Sequence, residues 1–313
     1  MSATTVRSFL ADDDLTPAEQ AQVLDLAAAL KAAPYDAKPL AGPRTVATIY
    51  DKPTLRTQAS FAAGIAELGG HPMLVDGGLA GIGKRESVAD VARVLGRQAS
   101  LIVWRTYAQT ALEEMAEFSG VPVVNALTDE FHPCQLLADL LTIREHKGDL
   151  AGLRATFIGD GACNMGNSWI IAGVTAGMHV TIAAPEGFAP SEEMFARANA
   201  IGEATGGSAR WERDSSVAVS GADIVITDTW VSMGKEDEAA ERIATFSPYA
   251  VTAELVAGAN DDAIVMHCLP AYRGKEIAAE VLDGPQSVIW DEAENRRHAQ
   301  KAVIAFLVAA QQA

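Results

Sequence analysis

Several short apolar runs of this sequence are followed by polar side chains that could bind an anion. The run at residues 45–50 leads into Thr54-Leu55-Arg56-Thr57 and then into a helical pattern. The free amides of a helix N-terminus, together with hydroxyls and an arginine, form a suitable phosphate site. A threonine that caps the helix beside a solvated arginine explains the same residues equally well.

Two further segments carry groups that could polarise a carbonyl. Arg105 follows the apolar run at residues 101–104. His132 and Gln135 lie at the start of a helical segment whose first position is a proline, which is sterically suited to that place. Both side chains could point from the helix start toward a carbonyl oxygen. Taken alone, a solvated arginine and a capping histidine are the simpler interpretations.

The loop that begins at Asp228 suits an amino-acid substrate. It follows the run at residues 223–227 and contains Ser232, Met233 and a glycine. A carboxylate, a hydroxyl and a glycine-linked backbone can recognise the amine and carboxylate of an amino acid. An ordinary Asx turn is the alternative interpretation of the same residues.

Cys268 follows His267 at the end of another apolar run, an arrangement that nucleophilic catalysis could use. The surrounding residues match no cysteine-protease pattern, and buried cysteines are common in proteins. Covalent catalysis is therefore disfavoured.

The glycine-rich segment at residues 159–165 lies between a predicted strand and a predicted helix, as a dinucleotide-binding loop would. Asn164 occupies the third glycine position, so the G-x-G-x-x-G fingerprint is broken. A nicotinamide-dependent oxidoreductase is therefore disfavoured.

The elements that must position these residues alternate between short β-branched runs and helical patterns. This alternation predicts an α/β fold with two domains, each a parallel sheet flanked by helices, and a cleft between the domains. In open parallel sheets, ligands bind beyond the carboxyl ends of the strands, where the residues named above occur. The predicted strands are residues 45–50, 101–104, 121–124, 154–158, 179–183, 223–227, 263–266 and 287–290. The predicted helices are residues 16–31, 59–68, 132–146 and 292–310.

Length and composition set broader limits on function. The chain has 313 residues, which suggests about two domains, and a formal net charge of −17, which disfavours nucleic acid and anionic membranes as partners. Three widely spaced cysteines argue against a disulfide framework or a zinc site and fit the cytoplasm. The N-terminal segment has acids where a signal peptide has its apolar run. No stretch reaches ~18 uninterrupted apolar residues, so no membrane span is expected.

Four motifs together resemble the ornithine carbamoyltransferases of the aspartate/ornithine transcarbamylase family. They are Phe131-His132-Pro133-Cys134-Gln135-Leu136-Leu137-Ala138-Asp139, Asp228-Thr229-Trp230-Val231-Ser232-Met233-Gly234, His267-Cys268-Leu269-Pro270 and Glu292-Ala293-Glu294-Asn295-Arg296. The resemblance extends from about Ser8 to the C-terminal helix. The second and third motifs distinguish ornithine enzymes from aspartate enzymes.

The resemblance implies a role for each matched position. The residues implied to bind carbamoyl phosphate are Thr54, Leu55, Arg56, Thr57, Arg105, His132, Gln135, Cys268, Leu269 and Arg296. The residues implied to bind ornithine are Asn164, Asp228, Ser232 and Met233. The residues implied to take part in the chemistry are Arg105, His132, Asp228 and Cys268. Whether Asp228 or Cys268 assists removal of the amine proton stays open.

The resemblance also implies an organisation and an activity. The expected domains are a carbamoyl phosphate domain at residues 1–147, an ornithine domain at 148–295 and a C-terminal helix at 296–313 that packs back toward the first domain. The family forms homotrimers with active sites at subunit interfaces and needs no metal or organic cofactor. The expected reaction is transfer of the carbamoyl group to the side-chain amine of ornithine, which gives citrulline and phosphate in arginine metabolism.

Five positions depart from the family pattern. Thr54 replaces a serine and keeps a hydroxyl. Leu55 replaces a threonine, and Gln58 and Ala62 replace an arginine and a glutamate whose i,i+4 spacing suits a helix ion pair. Gly81 replaces a glutamine that reaches into the phosphate site of a neighbouring subunit. A glycine cannot supply that amide, so we expect weaker binding of carbamoyl phosphate. A carbamoyltransferase for another amine and a non-catalytic ligand-binding relative remain alternatives.

Overall fold

The computed structural model describes residues 6–231 and 236–311. The chain forms two compact units. The first unit contains the residues up to Ala138 and those from Arg296 onward, and the second unit contains Asp139–Asn295. Each unit is built on its own parallel sheet, as the sequence predicts.

The helices and strands of the described residues alternate along most of the chain. The strands are β1 (Thr45–Tyr50), β2 (His71–Asp76), β3 (Leu101–Arg105), β4 (Val123–Leu127), β5 (Arg154–Ile158), β6 (His179–Ala183), β7 (Ser208–Glu212), β8 (Ile224–Thr227) and β9 (Ile264–His267). The α-helices are α1 (Pro17–Ala32), α2 (Arg56–Glu67), α3 (Gly77–Ala80), α4 (Val88–Leu95), α5 (Gln109–Ser119), α6 (Pro133–Lys147), α7 (Asn164–Thr175), α8 (Glu192–Thr205), α9 (Ser215–Val219), α10 (Ala239–Phe246), α11 (Ala253–Val256), α12 (Ala279–Leu282) and α13 (Ile289–Ala310).

The first unit has a four-stranded sheet in the order β2-β1-β3-β4, and all of its pairs are parallel. Its central strands β1 and β3 are buried almost throughout, because helices cover both faces of such a sheet. Part of the core consists of Ile49, Ile102, Trp104, Leu112 and Met115, contributed by strands and by helix α5. This packing fixes the carboxyl ends of β1 and β3 side by side.

The second unit has a five-stranded sheet in the order β7-β6-β5-β8-β9, again with parallel pairs throughout. The order reverses direction at β5, which lies between β6 and β8. In open α/β sheets, such a reversal leaves a crevice beyond the strand ends where a ligand can bind. The loops after β5, β8 and β9 therefore occupy the position at which function is expected.

Seven of the predicted strands are present, and the differences have physical reasons. The sequence patterns did not predict β2 and β7, which are partly exposed edge strands. Strand β2 has a proline and only a short apolar stretch at residues 73–75, and β7 alternates polar and apolar residues. The strand predicted at residues 287–290 is wrong. Ser287 makes a single bridge to Val265, and helix α13 begins two residues later at Ile289.

Helix starts were predicted within a few residues. The Thr16 cap is confirmed: its hydroxyl accepts the Glu19 amide hydrogen at 3.3 Å, while the Glu19 carboxylate accepts the Thr16 amide hydrogen at 2.9 Å. This reciprocal pair is a capping box, and Pro17 is the first helical residue. Helices α2 and α13 each begin three residues before the predicted start, at Arg56 and Ile289.

Within residues 6–231 and 236–311, no helix combines the length and apolar character needed to cross a bilayer.

In the first unit, helix α2 is joined by a buried lysine to the part of α13 that follows Asn295. The Lys301 side chain is fully buried, and its Nζ donates to Glu67 Oε2 at 2.6 Å and to the Leu30 carbonyl at 3.0 Å. Gly64 permits this approach, because a β-carbon there would lie 3.0 Å from Cγ of Lys301. Arg297 approaches the other Glu67 oxygen at 3.2 Å. A buried cation is tolerated only when it is paired in this way.

We predict that Glu67→Ala destabilises the protein by about 3–5 kcal/mol, because it leaves the buried Lys301 ammonium without its counter-charge. Urea unfolding followed by circular dichroism measures the change. Asp90→Ala is the matched control, since Asp90 pairs with Arg93 on the surface, and its loss is expected to cost less than about 1 kcal/mol. Equal losses for the two variants would contradict the assignment of Lys301 as a buried pair.

Candidate functional site

The loop after β1 and the end of β3 lie together in the first unit. Tyr50 is aligned with Arg105 in the parallel register, and the Asp51 amide donates to the Arg105 carbonyl at 2.9 Å. The indole nitrogen of Trp104 donates to the Asp51 carboxylate at 2.8 Å. Asp51 thus holds the start of the loop that carries Thr54 against the neighbouring strand.

Thr57 is the point on which two arginines converge. Its side chain is 1% exposed, and its hydroxyl oxygen accepts from Arg296 Nη2 at 2.8 Å and faces Arg105 Nη1 at 3.4 Å. Both guanidinium groups are buried, at 5% and 3% exposure for Arg105 and Arg296. Two like charges kept out of water make this a strongly positive location that an anion would stabilise.

The remaining residues of the predicted phosphate loop surround the start of α2. The Thr57 amide donates to the Thr54 hydroxyl at 3.3 Å, and Arg56 is half-buried at the first helical position. Leu55 precedes the helix with a side chain that is 76% exposed and caps nothing. Leu55 can therefore offer only its backbone to a ligand. Gln58 and Ala62 lie one turn apart on α2, with Ala62 exposed, which is where a solvated ion pair would stand.

A polar network holds the turn that precedes His132. The Phe131 amide donates to the Thr128 hydroxyl at 3.1 Å, and that hydroxyl donates to Gln109 Oε1 at 2.8 Å. The side-chain amide of Asn125 donates to the Leu10 carbonyl at 2.7 Å. All of these side chains are buried, so the network fixes the entry into α6.

His132 and Gln135 are both buried at the beginning of α6, with 4% and 1% exposure. Burial, followed by the positive charges of Arg296, Arg105 and Lys52, lowers the pKa of His132 well below its usual value. The imidazole is therefore neutral near pH 7 and can donate one hydrogen bond from its protonated nitrogen. A neutral donor beside two arginines is suited to polarise a carbonyl without adding to the repulsion.

Lys52 also belongs to this cluster, although the sequence patterns did not predict it as a site residue. Its ammonium lies 2.5 Å from the Asp129 carboxylate and 4.4 Å from the Tyr107 ring centroid, and the side chain is 6% exposed. Burial is the largest cause of a lowered pKa for Lys52. The available signal was its place directly after β1, where the chemistry-bearing loop begins.

The second unit brings Asp228 and Cys268 together. Asp228 follows β8 and Cys268 follows the neighbouring strand β9, so both lie at the same edge of the sheet. The Cys268 thiol donates to Asp228 Oδ1 at 3.3 Å, and the Thr229 amide donates to the same oxygen at 2.8 Å. The two residues form a polar pair that can face an amine.

Burial sets the protonation of this pair. Burial is the largest cause of the raised pKa of Asp228, and it is partly offset by the hydrogen bond from the Thr229 amide. Burial, then the charges of Asp228, Glu292 and Asp139, raises the pKa of the Cys268 thiol well above its usual value. A thiol held protonated in this way lacks the thiolate needed for nucleophilic attack, which supports the interpretation that Cys268 is not a covalent catalyst.

Of the other predicted ornithine residues, only Asn164 lies within the part of the chain that the structure describes. Asn164 is the first residue of α7, immediately after the loop that leaves β5. Ser232 and Met233 lie outside the described residues. The loop that leads to them is anchored by Arg242, whose Nε donates to the Trp230 carbonyl at 2.6 Å and whose Nη2 is hydrogen-bonded to Asp160.

One group of side chains could present ligand atoms to a metal ion. Among residues 6–231 and 236–311, Asp228, His267 and Cys268 have potential ligand atoms within 4.8 Å of one another. Both ring nitrogens of His267 are engaged by other groups, Nδ1 by the Leu269 amide and Nε2 by Glu276. Coordination by this imidazole would require one of those two hydrogen bonds to break.

Comparisons with known proteins cover both units. Residues 7–145 match the carbamoyl-P binding domain of aspartate/ornithine carbamoyltransferase, and residues 151–307 match its Asp/Orn binding domain. The chain is 61% identical to an ornithine carbamoyltransferase of Clavibacter michiganensis, over 96% of this chain and 98% of that protein.

Solved structures give the same answer. The ornithine carbamoyltransferase from Pyrococcus furiosus is 40% identical with a TM-score of 0.91, over 97% of this chain and 98% of that one. The ornithine carbamoyltransferase from Gloeobacter violaceus is 43% identical with a TM-score of 0.87, over 96% of this chain and 98% of that one. The chain therefore belongs to the aspartate/ornithine carbamoyltransferase family.

Proposed function

We propose that this protein transfers the carbamoyl group of carbamoyl phosphate to the side-chain amine of ornithine, which gives citrulline and phosphate. The observation that carries the proposal is the convergence of Arg105 and Arg296 on Thr57 beside a neutral His132, in the unit that matches the carbamoyl-P binding domain. The names of full-length relatives at about 60% identity support ornithine as the acceptor.

The first unit supplies the electrophile in this proposal. Thr54, Arg56, Thr57 and Arg296, with the Leu55 backbone, would bind the phosphate, whose negative charge grows as the C–O bond breaks. Fixed cations in a buried site stabilise such developing charge without reorganisation. His132 and Arg105 would donate to the carbonyl oxygen and make its carbon electrophilic, and Gln135 lies one turn along the same helix.

The second unit supplies the acceptor. The side-chain amine of ornithine has a solution pKa of about 10, so it must lose a proton before its nitrogen attacks the carbonyl carbon. The N–C bond forms, the C–O bond to phosphate breaks, and phosphate leaves with the electron pair. Asp228 accepts two hydrogen bonds on one oxygen, which leaves its second oxygen able to accept from the amine. Asn164, Ser232 and Met233 would bind the amino-acid part.

We predict ornithine-dependent citrulline formation from carbamoyl phosphate, with ornithine preferred over putrescine and lysine. The loop that begins at Asp228 suits the α-amino and α-carboxylate groups of an amino acid, which putrescine lacks, and the names of the full-length relatives favour ornithine over lysine. Colorimetric citrulline detection with the three amines in parallel measures the preference. Product with another amine alone would overturn the acceptor, and binding of carbamoyl phosphate without turnover of any amine would indicate a non-catalytic relative.

We also propose a cytoplasmic homotrimer in which neighbouring subunits complete each site. Cys134, Cys163 and Cys268 are free thiols, which suits a reducing compartment. The edge strand β2 and helix α3 expose Leu74 and Leu79 at 64% and 82%, an apolar surface that another copy could cover. The number of subunits, three, is inferred from the family resemblance alone.

Gly81 lies where the family has a glutamine that reaches a neighbouring site. It ends α3 in the left-handed conformation, with φ of 64°, and a β-carbon there would lie 3.1 Å from Cβ of Arg85. A side chain at this position therefore meets backbone strain in addition to any gain in binding. The glycine suits the local turn better than the family residue would.

We predict that Gly81→Gln lowers the half-saturation concentration for carbamoyl phosphate, because the amide can again bind the phosphate. Gly81→Ala is the control: it carries the same left-handed strain of roughly 1–2 kcal/mol without the amide, so it lowers stability and leaves half-saturation unchanged. Light scattering confirms that both variants keep the wild-type assembly. Identical kinetics for Gln and Ala would overturn this account.

We predict that His132→Asn lowers kcat by roughly 10²-fold while leaving the acid midpoint of the pH profile in place. Burial and the neighbouring positive charges hold the pKa of His132 well below its usual value, so this imidazole stays neutral where an ordinary histidine titrates. Wild-type activity then does not fall through a histidine midpoint as the pH drops. His146→Asn, at a half-exposed surface pair with Asp291, is the control. The prediction is contradicted if the wild-type pH profile has an acid midpoint at about pH 6.5, the usual histidine value, and this midpoint disappears only in the His132 variant.

A further inference from the structure

His267 is a buried histidine between strand β9 and the functional turn. It is the last residue of β9 and has no exposed surface, and Cys268 and Leu269 follow it directly. None of the roles assigned above involves its side chain. A fully buried imidazole with both nitrogens hydrogen-bonded is an ordered part of the structure, and its partners define what it does.

The hydrogen bonds of His267 fix its tautomer. Nδ1 lies 2.9 Å from the Leu269 amide nitrogen, which can only donate, so Nδ1 must accept. Nε2 lies 3.2 Å from Glu276 Oε1 and therefore carries the proton and donates to the carboxylate. A neutral imidazole with one donor and one acceptor satisfies both contacts. The same pattern of an oriented histidine and carboxylate holds imidazoles in place elsewhere in proteins.

Two buried carboxylates hydrogen-bond to His267, Glu276 to its ring and Glu292 to its backbone amide. Glu276 is 1% exposed, and its Oε1 also accepts from the Tyr272 amide at 2.5 Å, which ties the far side of the loop to the histidine. Glu292 of helix α13 is 1% exposed and accepts from the His267 backbone amide at 2.9 Å. Asp228 and Cys268 complete the ionisable groups around the pair.

The contact to Leu269 controls an uncommon backbone conformation. Leu269 has φ of 60°, in the left-handed region, where it is the one residue other than glycine within residues 6–231 and 236–311. This conformation is sterically unfavourable for a leucine, so the surrounding structure must hold it. The hydrogen bond from the Leu269 amide to Nδ1 of His267 acts directly on this residue.

We propose that His267 and Glu276 form a positioning pair that holds Leu269 in the left-handed conformation and thereby aims the Cys268 thiol and the Leu269 backbone at the substrates. This inference rests on the proposed carbamoyl transfer. His267 acts through the turn and does not touch the reacting atoms. The acceptor at Nδ1 is the essential feature, and the charge of Glu276 serves only to orient the ring.

Two substitutions at one position separate these hydrogen bonds. His267→Asn places an amide oxygen near the place of Nδ1 and keeps the acceptor for the Leu269 amide. His267→Gln places its amide near Nε2, so it keeps a donor for Glu276 and loses that acceptor. Thr156→Val is the control for loss of a buried hydrogen bond, since the Thr156 hydroxyl donates to the Ala218 carbonyl at 2.9 Å in the same unit.

We expect His267→Gln to lower kcat by about 30-fold or more and His267→Asn by less than about 5-fold, since a misaligned donor or dipole costs roughly this much in the transition state. The melting temperatures of the two variants should fall to a similar extent. Thr156→Val should lower the melting temperature and leave kcat unchanged. Equal kcat losses for Asn and Gln, or a kcat loss that follows the melting temperature across all three variants, would overturn the proposal.

If the His267 variants fold poorly, a variant of Glu276 and the labelling of Cys268 still test the proposal. Glu276→Gln keeps an oxygen that can accept from Nε2 and removes the charge, so kcat should stay within about 10-fold of wild type. A loss as large as that of His267→Gln would show that catalysis requires the charge of Glu276. It would overturn the inference that Glu276 only orients the imidazole ring.

The labelling of Cys268 by iodoacetamide tests the turn without turnover. Mass spectrometry should show faster labelling of Cys268 in His267→Gln than in His267→Asn, with Cys163 as the internal reference. If wild-type protein forms no citrulline, the proposed function fails, yet the labelling still decides whether His267 orders the turn. Equal labelling of Cys268 in the two variants would overturn the positioning role.

Discussion

The buried positive charge around Thr57 is the constraint on which the first unit depends. Arg105 and Arg296 are both almost fully buried and approach the same hydroxyl oxygen. Taking guanidinium groups out of water is costly, so the surrounding structure must hold them rigidly and supply polar contacts. The neutral state of His132 follows from the same field, because a third positive charge there would add to the repulsion. A site arranged in this way has its charge in place before an anionic ligand arrives.

The second unit has acidic groups where the first unit has a cluster of positive charge. Asp228 and Cys268 lie in a region where burial and neighbouring carboxylates disfavour negative charge, which keeps the thiol protonated and makes the carboxylate more basic. A cationic amine relieves that condition by supplying positive charge and hydrogen-bond donors. Loss of its proton can then follow within the same environment. One unit is thus suited to an anion and the other to an amine, and these are the two reactants of a carbamoyl transfer from a phosphate.

Rigid scaffolding supports both arrangements. In the first unit, the Lys301 pair and the network around Asn125 lie outside the predicted ligand residues and hold the helices and the turn that carry them. In the second unit, Arg242 and the His267–Glu276 pair do the same for the loops after β8 and β9. Buried polar groups of this kind destabilise a protein unless their hydrogen bonds are satisfied. When they are satisfied, they hold the backbone in one defined position.

The sequence by itself determined the fold class, most strands and the family, because β-branched runs, helix caps and four local motifs are properties of neighbouring residues. It did not reveal β2 and β7, whose edge positions require no apolar run, and it made a strand of residues 287–290, where helix α13 begins. It supplied Thr57 and Arg296 as separate residues, 239 positions apart, and only the tertiary structure placed the guanidinium on the hydroxyl. Likewise, the pKa directions of His132 and Cys268 and the role inferred for His267 depend on burial and on partners from distant elements. These are properties of three-dimensional packing, since desolvation and hydrogen-bond geometry are set by what surrounds a group rather than by its neighbours along the chain.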